Sequence, residues 1–423
     1  GGAEEDAHEG LRELLDRQVL EAGPDGTVRF LHDKLREQAY ARIEPARAID
    51  LHRRAGEALE LRAGSDAAPW TLLAHHWREA QVWPKAVEYL ERSAEQALAQ
   101  FSNAEARRHV EALQALGDKL PGGPGTLRRG RWERYLADAA LGSGDYEAGR
   151  KHAEAALDAF ETPFPRTSLA LGVSLLLQVG WILIARVFPR AGVPNDPEAR
   201  RIRQESLGVF AVLMDFFIYE NEPVRGIYAG VRCIAMGEPM GPSRSLARAY
   251  GLLGPILLAT PFKAAGRAWR QRALEMSERL GDPMTQVYAD VRVAASYLFV
   301  ADWDTCDRLC DRGFAVATEA RDDRRQDEAN ITRAFQRYMQ GRFVEAHAFS
   351  KVVEESARRR GDLQSVSFAC AGRAQALIRL GRLPEAEAAL APALGRVENA
   401  GTLAEKVLVW GILALLHVEQ GNA

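Results

Sequence analysis

The residue types that could do chemistry in this chain are arginine, histidine and cysteine, and none of them stands in a catalytic pattern. A phosphate loop needs Gly-x-x-x-x-Gly-Lys-Ser/Thr. The nearest approach runs from Gly144 to Lys151, with Arg150 where the lysine should be and no hydroxyl after it. A kinase catalytic loop, a Gly-x-Ser-x-Gly elbow and a His-Glu-x-x-His helix are also lacking. We therefore predict that this chain is not an enzyme and carries no cofactor of its own.

Binding through arginine is the chemistry that the sequence favours, because a guanidinium forms paired hydrogen bonds with a carboxylate. Several arginines and one tyrosine recur on predicted helices where they could reach a groove or its rim. These candidate partner-binding residues are Arg248, Tyr288, Arg292, Arg333, Arg337 and Arg373. Ordinary surface charge explains each of them equally well, so the ligand stays open.

Histidine and cysteine give only weak evidence for a metal site. Cys306 and Cys310 are four residues apart but lack histidine or carboxylate partners at ligand spacing. His75 and His76 are adjacent, and adjacent helix positions are expected to point apart. We predict buried free thiols, two packing histidines and no metal.

A repeat in the second half of the chain must position the candidate residues. Turn-like residues recur every 40 positions, and a second set falls midway between them. The first set is Asn221, Pro261, Ala301, Gly341, Gly381 and Gly421, and the second is Gly241, Gly281, Arg321, Gly361 and Gly401. Each repeat is therefore predicted to contain a first helix, a turn, a second helix and a turn.

Small residues recur in register on these helices, which would let the backbones approach closely. On the first helices they are Gly254, Ala294, Ala334, Ala374 and Ala414, and on the second helices Gly226, Gly266, Cys306, Ala346 and Ala386. A third column, expected to face a neighbouring repeat, is Ala249, Ala289, Ala329 and Ala369.

The segments Gly341 to Ala346 and Gly381 to Ala386 resemble the first turn of tetratricopeptide repeats. The period here is longer than the ~34 residues of that family. The resemblance implies stacked helix pairs that form a superhelix, whose concave face binds partners more often than it catalyses. By this analogy the concave positions are apolar, and they include Leu258, Val291, Leu298, Ile331, Phe335, Tyr338 and Ile378.

The head of the chain has a different pattern, in which a helix, two short strands around Pro24 to Gly26 and a second helix follow one another. This order is typical of a winged helix. Asp33 is well placed to cap the second helix. Asp33, Glu37 and Glu44 lie among the basic residues of that helix, which argues against contact with DNA.

The motif Phe30 to Tyr40 is similar to the end of the winged-helix module in signal-transduction ATPases with numerous domains, a class that includes bacterial kinase-ATPase fusions. The resemblance implies that His32 approaches the phosphates of ADP in a complete protein whose ATPase, with or without a Ser/Thr kinase, lies outside this chain. The alternative is that His32 only forms local hydrogen bonds. Leu72 to Ala80 continues the resemblance.

Ser168 to Ala185 is an anomaly, because these 18 residues contain no charge. That length reaches the lower limit for a membrane span. Ser168, Ser174, Gln178 and two glycines lower its hydrophobicity, and Arg186 and Arg190 flank one side only. We predict that a helix from Ser168 to Val187 is buried, within the superhelix groove or as a core helix, and membrane insertion is the disfavoured alternative.

Composition sets outer limits on the function. The 423 residues are 47% hydrophobic and carry a net charge of −3, which permits a large core and gives no general attraction to nucleic acid. The acidic, polar start does not resemble a signal peptide, so a cytoplasmic location is expected. The array stops at Gly421 where another helix should begin, and we expect a longer parent polypeptide.

Together these patterns predict an all-α, tetratricopeptide-like superhelix with an N-terminal winged-helix remnant. The predicted divisions are 1–64 for the remnant, 65–162 for N-terminal repeats, 163–200 for the apolar helix and linker, and 201–423 for the 40-residue repeats. The predicted function is a sensor that binds a protein, peptide or small inducer and relays this to the absent ATPase. A non-switching scaffold and the inducer-binding part of a transcription activator are the alternatives.

Overall fold

The structure is a computed structural model that describes residues 2–23, 28–62, 69–100, 102–188, 193–220, 222–258, 260–399 and 401–421. The chain divides into two compact units, Gly1–Ser93 and Ala94–Ala423. The boundary between the units falls inside a helix, later in the chain than the end near residue 64 that was predicted for the remnant. Residue 64 lies outside the described residues. Within the described residues the fold is all-α apart from one short hairpin.

The first unit contains the predicted order of a helix, two strands and a helix. Its elements are α1 (Gly2–Asp16), β1 (Leu20–Ala22), β2 (Val28–Phe30), α2 (Asp33–Ala41), α3 (Pro45–Arg62), α4 (Trp70–Glu79) and the start of α5 (Trp83–Ala99). The strands are antiparallel, with Leu20 opposite Phe30. The predicted turn, Pro24 to Gly26, lies outside the described residues. The capping prediction for Asp33 is wrong, because α2 already begins at Asp33, which forms an ion pair with Arg36 at 3.2 Å.

Three helices of the first unit meet at a cluster of aromatic side chains. The Tyr40 hydroxyl lies 2.7 Å from His52 Nε2, and His52 Nδ1 lies 2.9 Å from His76 Nδ1. His75 also packs edge-on against His52, with ring centroids 5.5 Å apart. The expectation that His75 and His76 point apart is therefore wrong, because both rings pack against His52 of α3 and their own centroids are 5.4 Å apart.

This histidine cluster predicts a loss of stability in acid. Burial, and next the neighbouring His75, lower the pKa of His52, and burial likewise lowers that of His76. Because the unfolded chain then binds more protons, the stabilisation is present above about pH 6.5 and is lost as the pH falls below it. We expect amide hydrogen exchange in α3 to accelerate several-fold between neutral pH and about pH 5 after correction for intrinsic rates.

The control for this prediction is a histidine of the other unit. His52→Gln should flatten the pH dependence of exchange in α3, whereas His347→Gln should leave it unchanged. Equal exchange in α3 of the unaltered protein at both pH values would contradict the assignment of the cluster as an acid-sensitive contact.

The second unit is an array of helices that pack as consecutive pairs. After α5, they are α6 (Asn103–Gly117), α7 (Gly125–Ser143), α8 (Tyr146–Ala159), α9 (Ser168–Val187), α10 (Pro197–Tyr219), α11 (Pro223–Gly237), α12 (Arg244–Leu258), α13 (Lys263–Leu280), α14 (Pro283–Tyr297), α15 (Trp303–Glu319), α16 (Asp323–Met339), α17 (Phe343–Arg360), α18 (Leu363–Arg379), α19 (Leu383–Asn399) and α20 (Leu403–Glu419). The predicted 40-residue alternation of first and second helices is confirmed from α12 onwards.

Two local signals end and restart these helices. Most of the predicted breaks adopt a left-handed backbone conformation, as at Gly281, Gly341 and Gly381, where φ is 60°, 75° and 71°. Glycine adopts this conformation without a steric penalty. Aspartates that directly follow breaks, such as Asp282 and Asp362, accept a hydrogen bond from the backbone N–H three residues later. The break at Asn221 lies outside the described residues.

The small-residue columns mark real close contacts between helices. A Cβ atom at Gly254 would lie 2.8 Å from the backbone nitrogen of Arg270, and one at Gly266 would lie 2.9 Å from the Gly254 carbonyl oxygen. Helices α12 and α13 therefore touch through their backbones. The third column is buried, and α12 contacts α14, which contacts α16 in turn. The first helices thus form one continuous layer.

The apolar helix α9 has the predicted bounds, but the prediction that it is buried is wrong. Among the described helices, α9 packs mainly against α11 and the one-turn 3₁₀ helix Glu238–Met240. Only Leu171, Ile182 and Ala185 of α9 are buried. It is long and apolar enough to cross a membrane by length and composition alone. Pro189 and Arg190, which follow it, lie outside the described residues.

Candidate functional site

The candidate site is a cavity of about 380 Å³ on the layer of first helices, which we name the groove cavity. Its walls come from α14, α16, α18 and α20, with α17 closing one side. The residues that line it are Val291, Arg292, Ala295, Leu298, Glu328, Ile331, Thr332, Ala334, Phe335, Tyr338, Ala346, Ser350, Val353, Phe368, Ala369, Gly372, Gln375 and Leu408. A volume of this size suits a small organic ligand.

The lining follows the repeat, because equivalent positions of successive first helices face the same groove. Glu328, Phe368 and Leu408 are spaced by 40 residues, as are Val291 and Ile331. Five of the seven apolar positions predicted for the concave face line the groove cavity: Val291, Leu298, Ile331, Phe335 and Tyr338. Leu258 and Ile378 do not line it, and Ile378 is buried.

One end of the groove cavity is polar and charged. Arg292 and Glu328 both line it, and Arg292 Nη2 lies 3.8 Å from Glu328 Oε1. Glu328 also accepts a hydrogen bond from Arg325 Nη1 at 2.6 Å. The part of the lining on α18 and α20, which includes Phe368, Gln375 and Leu408, is uncharged and mostly apolar. The cavity therefore combines one charged end with a mostly apolar remainder, which suits an amphiphile.

A buried carboxylate from a neighbouring repeat organises the polar end. Asp215 of α10 is 2% exposed and forms an ion pair with Arg248. The Tyr288 hydroxyl donates a 2.8 Å hydrogen bond to Asp215 Oδ1, and Arg292 Nη2 lies 3.9 Å from the same oxygen. The guanidiniums of Arg248 and Arg292 lie near the Tyr288 ring, at 4.9 and 5.4 Å from its centroid.

The arginines keep both carboxylates ionised. Burial by itself would raise the pKa of Asp215, but Arg248, Arg292 and Arg325 outweigh it and hold that pKa below 3.8. Burial opposes ionisation of Glu328 as well, and Arg325 is foremost among the arginines that lower its pKa to about 2. The cluster therefore remains charged at neutral pH.

A long-range contact connects this cluster to the α7–α8 turn. Arg324 donates hydrogen bonds to the carbonyl oxygen of Leu141 and, at 3.0 Å, to the hydroxyl of Tyr146. Arg324 Nε also lies 4.0 Å from Glu328 Oε1. Glu328 thus faces the groove cavity and at the same time contacts the arginine that binds the turn.

The predicted partner-binding residues fall into two groups. Arg248, Tyr288 and Arg292 converge on Asp215, and only Arg292 of the three lines the groove cavity. The other predicted arginines do not line it, because each forms an ion pair with a carboxylate of a second helix: Arg333 with Asp311, Arg337 with Asp307 and Arg373 with Glu354. Partner binding by these six residues stays a prediction.

His32 lies in the first unit and is exposed, directly before α2, with no side-chain capping hydrogen bond. Its predicted role as a nucleotide sensor is a property of a complete protein and stays a prediction. The four cysteines are buried free thiols, as predicted. No group of metal-binding side chains occurs among the residues that the structure describes.

Sequence reasoning missed the carboxylates Asp215 and Glu328 and the arginine Arg324. Asp215 carried a usable signal, because it is the single charged residue in the apolar run from Leu207 to Ile218. A buried charge is costly unless it is paired, so such a residue predicts a buried partner. Glu328 and Arg324 carried no such signal, since they stand in the charged segment Asp322 to Glu328.

Comparison with known proteins adds no family to this description. The chain matches no protein-family model and no curated protein.

Proposed function

We propose that the second unit is a ligand-binding module and that the groove cavity holds a small amphiphile with an apolar body and a carboxylate. The observation that carries this proposal is the polarity of the cavity, whose lining is mostly apolar and has its charged side chains, Arg292 and Glu328, at one end. The ligand body would contact Phe335, Phe368 and Leu408, and its carboxylate would approach Arg292.

The charge of the polar end favours an anionic ligand over a cationic one. Four guanidiniums, from Arg248, Arg292, Arg324 and Arg325, stand around three carboxylates, those of Asp215, Glu328 and Asp322. The excess is positive, and a desolvated carboxylate gains a charge-assisted hydrogen bond from a guanidinium. A ligand carboxylate would compete with Glu328 for Arg292.

This competition supplies a route for relay. Displacing Glu328 from Arg292 would alter the contact between Glu328 and Arg324. It would thereby alter the hydrogen bond from Arg324 to the α7–α8 turn. Ligand binding shifts such an equilibrium only by its differential affinity for the two arrangements. We infer that the turn is the element that responds to an occupied cavity.

In the wider proposal this chain is the sensor region of a cytoplasmic, nucleotide-dependent regulator, with tetratricopeptide-like repeats and a winged-helix remnant that carries His32. ATP or ADP would bind a domain outside the chain, and the chain itself would perform no catalysis. The support is the resemblance of Phe30 to Tyr40 to signalling ATPases. Abolition of a nucleotide-dependent response by His32→Ala in the complete protein is the expected result, and an intact response would favour the scaffold.

Calorimetric titration tests the cavity directly, with octanoate, octanol and octylamine as probes. We expect octanoate to bind more tightly than octylamine. Arg292→Gln should lower the affinity for octanoate by about tenfold, since a hydrogen bond to a charged group contributes about 1.5–3 kcal/mol. The same change should leave octanol binding nearly unaltered. Ala295→Phe, which fills the cavity, should weaken all three probes.

Arg333→Gln is the matched control, because Arg333 lies on α16 yet does not line the cavity. It should leave octanoate binding unchanged. Equal affinity for octanoate and octylamine would contradict the carboxylate assignment, and no binding of any probe would favour the scaffold alternative.

A further inference from the structure

The apolar helix α9 has its polar and apolar sides reversed relative to a helix on a water-exposed surface. Two of its three uncharged polar side chains, Ser174 and Gln178, lie on the half-buried side that faces the protein, and the third, Ser168, is exposed at the first residue of the helix. The Ser174 hydroxyl shares a 3.1 Å hydrogen bond with the Tyr228 hydroxyl of α11. Surface helices ordinarily turn such residues towards water and apolar residues inwards.

The outward side of α9 is made of large aliphatic residues along its whole length. The helix is about 30 Å long at about 1.5 Å per residue. Leu176 and Leu183 are 75% and 60% exposed. Leu169, Val173, Leu177 and Val187 share this side and are also exposed. A continuous apolar surface of this kind marks an interaction site, because monomeric soluble proteins rarely leave one facing water.

The apolar side of α9 continues into a cleft that is positively charged. A cavity of about 770 Å³ lies between α9, α10 and α11, with Leu176, Leu177 and Ile184 on its α9 wall. Arg203 and Arg232 line it, and its lining includes no carboxylate among the described residues. Burial, and next the repulsion of Arg232, lower the pKa of Arg203. The cleft therefore favours an anion.

Charge and chemistry select the partner. In a symmetric dimer formed through this surface, the same positive cleft of both copies would lie at one interface. Among the described residues, neither cleft lining would supply a carboxylate to balance the arginines of the other. A bilayer with anionic phospholipids offers acyl chains for the aliphatic side and phosphates for the arginines. We propose that α9 is an interfacial membrane-binding helix, which lies in the plane of the bilayer with the Arg203–Arg232 cleft on a phospholipid headgroup.

The ends of α9 favour this in-plane orientation over a spanning one. Before α9, Phe164 is buried against Phe217 and Tyr228, with ring centroids 5.0 Å from each. At its end, Arg186 forms a 3.1 Å ion pair with Glu238. Both ends are thus held on one folded unit, whereas a spanning helix would separate them by a hydrocarbon core of about 30 Å.

Vesicle flotation of the 423-residue chain tests this proposal. We expect it to float with vesicles of phosphatidylcholine and phosphatidylglycerol, and more weakly with phosphatidylcholine alone or at high salt. The double variant L176Q/L183Q should lower the partition coefficient on the order of tenfold or more, because it removes two aliphatic anchors. Arg232→Gln should weaken binding only to the phosphatidylglycerol vesicles.

The matched control is L61Q/L363Q, which alters two exposed leucines on α3 and α18 and should float like the unaltered protein. Circular dichroism checks that each variant is folded. The proposal is overturned if the chain does not float, if L176Q/L183Q floats unchanged, or if sedimentation equilibrium finds a dimer that this variant dissociates without any vesicle binding. Octanoate binding in the groove cavity is independent of these outcomes.

Discussion

Asp215→Asn is expected to lower the free energy of unfolding by about 3–5 kcal/mol, the cost of leaving a buried charge without its partner. The change preserves the shape of the side chain but removes the charge that balances Arg248, which is itself largely buried. It also turns an ionised acceptor for the Tyr288 hydroxyl into a neutral one. Urea unfolding at neutral pH, followed by circular dichroism, measures the loss.

A double variant separates the missing charge from the missing contact. Asp215→Leu with Arg248→Met replaces the ion pair by apolar side chains, and such replacements are often close to neutral. We expect the double variant to recover most of the free energy of unfolding that Asp215→Asn loses. A double-mutant cycle would measure this recovery as a coupling energy between positions 215 and 248. A loss below about 1 kcal/mol for Asp215→Asn would contradict the view that this cluster stabilises the array.

The pH dependence has a definite sign. Because the pKa of Asp215 in the folded chain lies below 3.8, its ionised form stabilises the fold above that pH, and the contribution disappears as the pH falls further. Glu328, with a pKa of about 2, behaves in the same way. The difference between Asp215→Asn and the unaltered protein should stay constant from about pH 8 to 5 and shrink below about pH 4.

Gly254→Ala should destabilise the array by about 1–3 kcal/mol, although alanine favours a helix over glycine by about 1 kcal/mol. The added Cβ would lie 2.8 Å from the backbone nitrogen of Arg270 and 3.2 Å from the Gly266 carbonyl oxygen. Backbone atoms of a packed helix cannot rotate away as a side chain can, so α12 and α13 must separate. Thermal and urea unfolding measure the change.

Gly411→Ala is the matched control for this crossing. Gly411 lies inside α20, and a Cβ there would meet no atom within 4 Å. The same chemical change should therefore be stabilising, by up to about 1 kcal/mol. Equal effects of the two substitutions would mean that the crossing of α12 and α13 is wider than the structure has it.

The repeat could be predicted because it depends on local signals. Gly281, Gly341 and Gly381 adopt the left-handed conformation, which a glycine tolerates wherever the chain needs it, and the aspartates after several breaks cap the next helix. Small residues at Gly254 and Gly266 were sufficient to predict the crossing of two helices. The apolar character of the concave positions was also readable from the sequence.

The position of α9 could not be predicted in this way. An apolar run is equally compatible with a buried helix and with one that faces lipid, because the two environments select the same side chains. What excludes burial is that the outward side of α9, with Leu176 and Leu183, stays exposed, and only the packing of the helices reveals this. The prediction of burial failed for this reason.

The sequence by itself determined the helical repeat, its breaks, the buried thiols and the residues able to line a groove, since these depend on neighbours within one or two turns of helix. Tertiary structure alone decided the charged end of the groove cavity. The packing places Arg292 at the groove cavity, and it pairs Arg333, Arg337 and Arg373 with carboxylates of second helices. It also brought Arg324 to a turn 183 residues earlier in the chain. An arginine pairs with whichever carboxylate the packed helices place within reach, and no sequence spacing specifies that choice.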